Sequence, residues 1–189
     1  SLSLTFDESD EDRGGPELAR MCKAYSKATR DYSVPIVFVF DRDESNALKS
    51  ALLDKNDFHD WGRNVYSAAL PVPDHRTDSP EVCIELLYSD DEITVVDEHG
   101  HRLFLSSEFN QESGRHNVEG LVYSYPGKLR NQRLVVMDND VFDLSNRNVA
   151  LPKIQFAKYV LESHKGFDGF DFSGFANLFE SMLRIGLEE

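Results

Sequence analysis

The sequence predicts an α/β fold with a mainly parallel β-sheet flanked by helices. Three observations predict it. Residues 34–40, Val34-Pro35-Ile36-Val37-Phe38-Val39-Phe40, form a strongly apolar run of the kind found in strands buried on both faces. Strand-like and helix-like segments alternate over the first half of the chain, which is the rhythm of a parallel sheet. The second half loses that rhythm and predicts an α+β appendage.

The elements follow in order. Leu2, Leu4 and Phe6 alternate with polar residues and predict a strand over 2–6. Asp7 to Asp12 and Gly14-Gly15 read as an acidic loop. Pro16 suits a first helical turn, and Leu18, Met21, Cys22 and Tyr25 give one face of a helix over 16–28. The strand 34–40 is expected at the centre of the sheet. Ala47, Leu48, Ala51 and Leu52 predict a helix within 44–55. Asn64–Leu70 reads as a second apolar strand, stopped by Pro71-Val72-Pro73, and Val82–Tyr88 as a third apolar segment around Glu85. Ile93–Val96 and Arg102–Leu105 flank Asp97-Glu98-His99-Gly100 and predict a β-hairpin. Gln111 to Gly120 is polar and loop-like. Arg133–Met137, the turn Asp138-Asn139-Asp140 and Val141-Phe142 suggest further short structure. Ile154, Phe156, Ala157, Val160 and Leu161 suit a helix after Pro152. Phe167, Phe170, Phe172 and Phe175 read as docking points of a loop that leads into a last helix, 173–186. The organisation expected is a core over 1–92 and a hairpin plus helical extension over 93–189.

A chain of 189 residues, 40% hydrophobic and 29% charged, can bury one sizeable core. No stretch approaches the roughly 20 apolar residues that span a bilayer, and no secretory pattern opens the chain, so a cytoplasmic protein without membrane partners is expected. The start at Ser1 rather than Met predicts that an upstream part is missing. Cys22 and Cys83 sit far apart in apolar contexts, which favours buried thiols in a reducing compartment. No Cys/His spacing suggests zinc. The formal charge of −14 argues against a broad phosphate-tracking surface. It does not exclude a metal-dependent phosphodiester enzyme, in which bound cations mask negative charge.

The candidate chemistry lies in carboxylates. Asp41 and Asp43 end the apolar run, where ligands of parallel sheets bind. The chain turns there, so both carboxylates can lean toward one mouth, although a solvated acidic turn is the plainer reading. Glu85 sits inside Val82-Cys83-Ile84-Glu85-Leu86-Leu87, where a carboxylate is costly unless paired or metal-bound. An ion pair with Arg76 or Arg63, or a place on the strand's wet face, would also satisfy it. Asp90-Asp91-Glu92 reads as a helix N-terminus. Oxygen ligands without Cys or His suit Mg²⁺ or Mn²⁺, which polarise phosphoryl oxygens and generate hydroxide. His59, His75 and His116 are candidate acids or bases, set against plain surface histidines. Arg115 and His116 in the polar loop are a candidate phosphate contact.

Taken in order, the apolar strand, acidic glycine loop, helix, Phe40-Asp41-Arg42-Asp43, Leu70-Pro71-Val72-Pro73 and Ile84-Glu85-Leu86-Leu87-Tyr88 resemble the Toprim fold. This is a Rossmann-like sheet used in OLD-type nucleases and related bacterial phage-defence proteins. The resemblance covers about 1–92. It implies that Asp41 and Asp43, with Glu85 more loosely, bind Mg²⁺ for cleavage or transfer of phosphodiesters in nucleic acid. The family's first strand and its glutamate are absent; Glu8 and Glu11 follow the wrong strand to replace it. The expectation is therefore a nuclease domain of a bacterial defence protein, inactive as this chain alone and reaching nucleic acid through its parent protein. One alternative is a non-catalytic Toprim-like module for a partner protein or nucleotide. Another is a haloacid-dehalogenase-type phosphatase with Asp41 as nucleophile; that motif prefers Thr or Val where this chain has Ser45.

Overall fold

The computed structural model describes residues 15–53, 55–131 and 133–185. The strand expected over 2–6 and the acidic loop before Gly15 lie outside the described residues. The chain is mixed α/β, with small sheets and several helices. It divides into two compact units, one running to Pro71 and including the chain from Glu180 onward, the other Val72–Phe179.

In the first unit, α1 (Gly15–Tyr25) carries Glu17 in its first turn and Lys23 in its last, each matched to the helix dipole. It buries Ala19 and Cys22. β1 (Ile36–Phe40) follows, then α2 (Ser45–Ser50), β2 (Phe58–Gly62) and β3 (Val65–Ala69). The sheet order is β1-β3-β2. β1 pairs with β3 in parallel, Ile36 opposite Val65 and Phe40 opposite Ala69, while β2 pairs with β3 antiparallel. Phe38, Phe40, Val65 and Ala69 pack on Ala19, Cys22, Ala47 and Ala51 of the helical layer. The strand 34–40 was expected at the sheet centre. Among the described residues β3 holds that place, and β1 has β3 as its one neighbour.

In the second unit, a 3-10 turn over Ile84–Leu87 leads into the short helix α3 (Asp90–Ile93). This corrects the strand expected over 82–88. Val82, Cys83, Leu86 and Leu87 are buried while Ile84 is exposed, a helical spacing rather than an alternating one. The hairpin expected from 93–96 and 102–105 is also corrected. Ser89 and Glu92 form a capping box that claims 90–93 for a helix. The turn itself exists, closed by the Asp97 N–H donating to the His101 carbonyl at 2.8 Å. Its C-terminal flank pairs elsewhere: β4 (Phe104–Leu105) is antiparallel to β6 (Val136–Met137), and β5 (Val122–Tyr123) to β7 (Val141–Phe142). The mainly parallel sheet expected does not form among the described residues: β1–β3 is a parallel pair, while the other ladders are antiparallel.

These short ladders enclose Phe104, Phe109, Tyr123, Met137 and Val141. α4 (Lys153–Leu161) buries Phe156 and Val160. Tyr88 packs edge-on against Phe156 and Phe170 and tilted against Phe175. The phenylalanine-rich loop does dock as read, through a 3-10 turn over Phe172–Phe175 that opens α5 (Ala176–Ile185). Gly174 is required in that turn, because a Cβ there would stand 2.1 Å from the Leu87 carbonyl oxygen.

Candidate functional site

The carboxyl end of β1 carries Asp41 and Asp43, both half-buried. The Leu70 N–H donates to the Phe40 carbonyl at 2.9 Å, so β1 and β3 end side by side. Between the two aspartates, Arg42 is taken up by structure: its guanidinium donates to the Leu70 carbonyl and the Asp57 carboxylate. Beside the strand end lies a cavity of about 180 Å³ lined by Gly15, Leu18, Val39, Phe40, Asp41, Glu44 and Ala47. Its walls are thus the first turns of α1 and α2 and the end of β1. Gly15 lets the two helices approach, because a Cβ on it would lie 2.2 Å from Ala47 Cβ and 2.9 Å from Glu44 Oε2. Among the described residues, Asp41 and Glu44 are the carboxylates that line this cavity.

Glu85 belongs to the second unit. Its side chain is 12% exposed, and Oε2 lies 3.0 Å from Lys153 Nζ at the start of α4. Burial alone would push the Lys153 ammonium down, but the Glu85 carboxylate, helped by Cys83 and Asp138, outweighs it and holds the pKa above the ordinary lysine value. The two arginines considered for Glu85 are engaged elsewhere, Arg76 with Asp90 at 2.5 Å and Arg63 with Asp31 at 3.1 Å. Among the described residues, no three His, Cys, Asp or Glu side chains gather to hold a metal ion.

Arg115 is exposed, whereas the His116 side chain is buried. His116 Nδ1 accepts from the Val118 N–H at 3.2 Å and the Glu119 N–H at 2.9 Å. That assigns the proton to Nε2, which donates to Glu108 Oε2 at 3.1 Å. Glu108 also receives both arms of Arg102, at 3.0 and 2.6 Å, and Arg102 lies 3.9 Å above the Phe104 ring. Burial pushes the Glu108 carboxyl up, but Arg102 and the Leu105 N–H outweigh it and hold it below the usual range. Both ring nitrogens of His116 are therefore spent inside the protein. His59 stacks edge-on against Trp61, and His75 Nε2 lies 3.2 Å from the Tyr88 carbonyl oxygen.

Sequence reasoning passed over Arg102, Glu108 and Lys153. A signal existed for the first: an arginine opening the apolar run Leu103-Phe104-Leu105 needs a buried anion. Glu44 was also passed over, although it follows Asp43 directly. No family model, no curated protein and no solved structure matches the chain.

Proposed function

We propose that the first unit is a Toprim-like module that binds a divalent cation, Mg²⁺ or Mn²⁺, at the carboxyl end of β1 and serves phosphodiester cleavage or transfer. The observation that carries this reading is the cavity beside that strand end, walled by Asp41, by Glu44 and by the first turn of α1. The parallel β1–β3 pair supports it, since ligands of open α/β sheets bind beyond the carboxyl ends of parallel strands. Asp41 and Asp43 offer only oxygen, which suits a hard cation, and a hydrated Mg²⁺ needs just one or two carboxylates. Asp41 and Asp43 would hold the ion. When bound, it would supply charge stabilisation at a phosphoryl oxygen and an activated water. The chain's own contribution is to fix both carboxylates on a short turn, which Arg42 pins to Leu70 and Asp57. Glu85 has no part in the proposal, because Lys153 already neutralises it.

That ion pair favours a second reading, a cation-dependent binding module for a nucleotide or partner protein, in which cleavage has been lost. The experiment that separates them pairs Mn²⁺ calorimetry with cleavage of end-labelled single- and double-stranded oligonucleotides. Cation binding and cleavage that both vanish in Asp41→Ala and Asp43→Ala support the nuclease. Binding without cleavage supports the module. A covalent phosphate trapped on Asp41 would move the site to the phosphatase class. Cation binding that is unchanged in both variants overturns the site.

A further inference from the structure

The turn from Asp97 to His101 has features that the site at β1 does not use. Asp97 is a buried aspartate, its side chain only 1% exposed. Its Oδ1 accepts the N–H groups of both His99, at 2.9 Å, and His101, at 2.8 Å. The Asp97 N–H donates to the His101 carbonyl at 2.8 Å, and Gly100 supplies the positive φ of 84° that closes the loop. One buried carboxylate oxygen thus sets the backbone of both histidines. The second oxygen, Oδ2, is turned to His101 Nδ1 at 3.6 Å. This is an ion-pair distance rather than a hydrogen bond, and it leaves Nε2 as the nitrogen directed away from Asp97. His99 shows the mirror arrangement, with Nε2 lying 3.6 Å from Glu98 Oε1. Among the described residues, neither His101 Nε2 nor His99 Nδ1 makes a hydrogen bond. The His99 side chain is 65% exposed and that of His101 39%.

We propose that this turn binds a borderline transition-metal ion of the Zn²⁺ class through His99 and His101, with Asp97 orienting His101 from behind. A buried carboxylate beside the non-ligating nitrogen of a histidine is the usual outer-shell partner of a metal-binding imidazole. The ring centroids stand 6.3 Å apart, tilted by 51°. Two imidazoles on one tetrahedral ion, with metal–nitrogen lengths of about 2.0–2.1 Å, stand about 5 Å apart. Binding therefore requires the exposed His99 ring to move toward His101 by roughly 1 Å. Asp97 and Glu98 add negative charge around the pair. Two protein ligands leave the remaining positions to water. Imidazole donors choose Zn²⁺, Ni²⁺ or Cu²⁺ over Mg²⁺, so this site is chemically distinct from the one proposed at β1.

The test is a titration of the full chain with ZnCl₂, followed by calorimetry and by the imidazole C2-proton resonances. Of the six histidines, only His99 and His101 should shift, with one ion bound through them. His99→Ala and His101→Ala should each lose this binding. His99 is exposed and His101 half-buried with its side chain reaching solvent, so these variants keep the fold and carry the test even if Asp97→Asn does not fold. Where it folds, Asp97→Asn should weaken binding by about 10–100-fold. Mg²⁺ at the same concentrations should leave the resonances in place, and in Asp41→Ala the Zn²⁺-induced shifts of His99 and His101 should persist. Millimolar Zn²⁺ that leaves the His99 and His101 resonances unmoved overturns the proposal, as does a His99→Ala/His101→Ala double variant that binds as many Zn²⁺ ions as the parent.

Discussion

Cys22 is fully buried, and burial pushes its thiol up from 9.0 to about 12. Tyr88 rises from 10.0 to about 12, first by burial and then by the nearby Glu92 and Glu85. In both cases the folded state keeps a proton that the unfolded chain gives up. The stability they contribute is whole below the unfolded pKa and drains away as pH rises through the folded one. Stability should therefore start to fall near pH 9, where only the thiol is titrating, and fall faster above pH 10, where the phenol joins. The slope approaches about 1.4 kcal/mol per pH unit for each group. Lys153, whose pKa is also raised, acts in the same direction at still higher pH. Urea unfolding between pH 8 and 10.5 measures this. Cys22→Ala should flatten the first stretch and Tyr88→Phe the second; a parent protein equally stable at pH 8 and 10 would contradict the burial argument. Both residues sit in apolar stretches, so their burial was legible from the sequence. The partner of Glu85 was not. The run around it shows that a carboxylate there needs compensation, but Lys153 lies on a helix far along the chain, and no local pattern points to it.

At the scale of elements, α2 shows how a chain stops without glycine. The Leu53 N–H donates to the Leu48 carbonyl at 2.8 Å and the Leu52 N–H to the Lys49 carbonyl at 3.1 Å, the paired bonds of a Schellman ending. That ending places Leu52 at φ 60°, exposed, where an L side chain costs roughly 1–2 kcal/mol. Glycine removes the strain but costs about 0.5–1 kcal/mol in backbone entropy. Leu52→Gly should therefore stabilise the protein by about 0.5 kcal/mol, read as a higher urea midpoint with an unchanged slope. A lower midpoint would mean that the leucine side chain contributes packing that outweighs its strain. The same loop chemistry explains which elements the sequence revealed. The helix read over 16–28, the strand over 34–40, the strand over 64–70 and the helix after Pro152 have clear periodicity and punctuation, and all four form. β2 lacks both: Phe58-His59-Asp60-Trp61-Gly62 does not alternate cleanly. Its turn is Arg63-Asn64, at φ 62° and 61°, rather than the Asn-Gly that marks such hairpins. The segment 82–88 failed in the opposite way, because a short apolar run looks alike as strand or helical turn until its burial pattern is seen.

At the scale of the whole molecule, the chain carries a formal charge of −14, and the carboxylates proposed to bind a cation are part of that excess. Self-repulsion at this charge destabilises the compact state, so added NaCl should raise the melting temperature by screening alone. Mg²⁺ at the same ionic strength tests for something more. A site that binds only the folded state adds RT ln(1 + [Mg²⁺]/Kd), about 1.4 kcal/mol at ten times Kd. For a chain of this size that is a rise of roughly 3–5 °C above the matched NaCl control. Diffuse binding to exposed acids contributes an increment as well, but that increment does not depend on any one residue. In Asp41→Ala and Asp43→Ala the screening response should remain and the site-specific rise should disappear. An equal Mg²⁺ increment in parent and variants would leave only diffuse attraction to an acidic surface. The carboxyl end of β1 would then be a turn that caps a strand and nothing more.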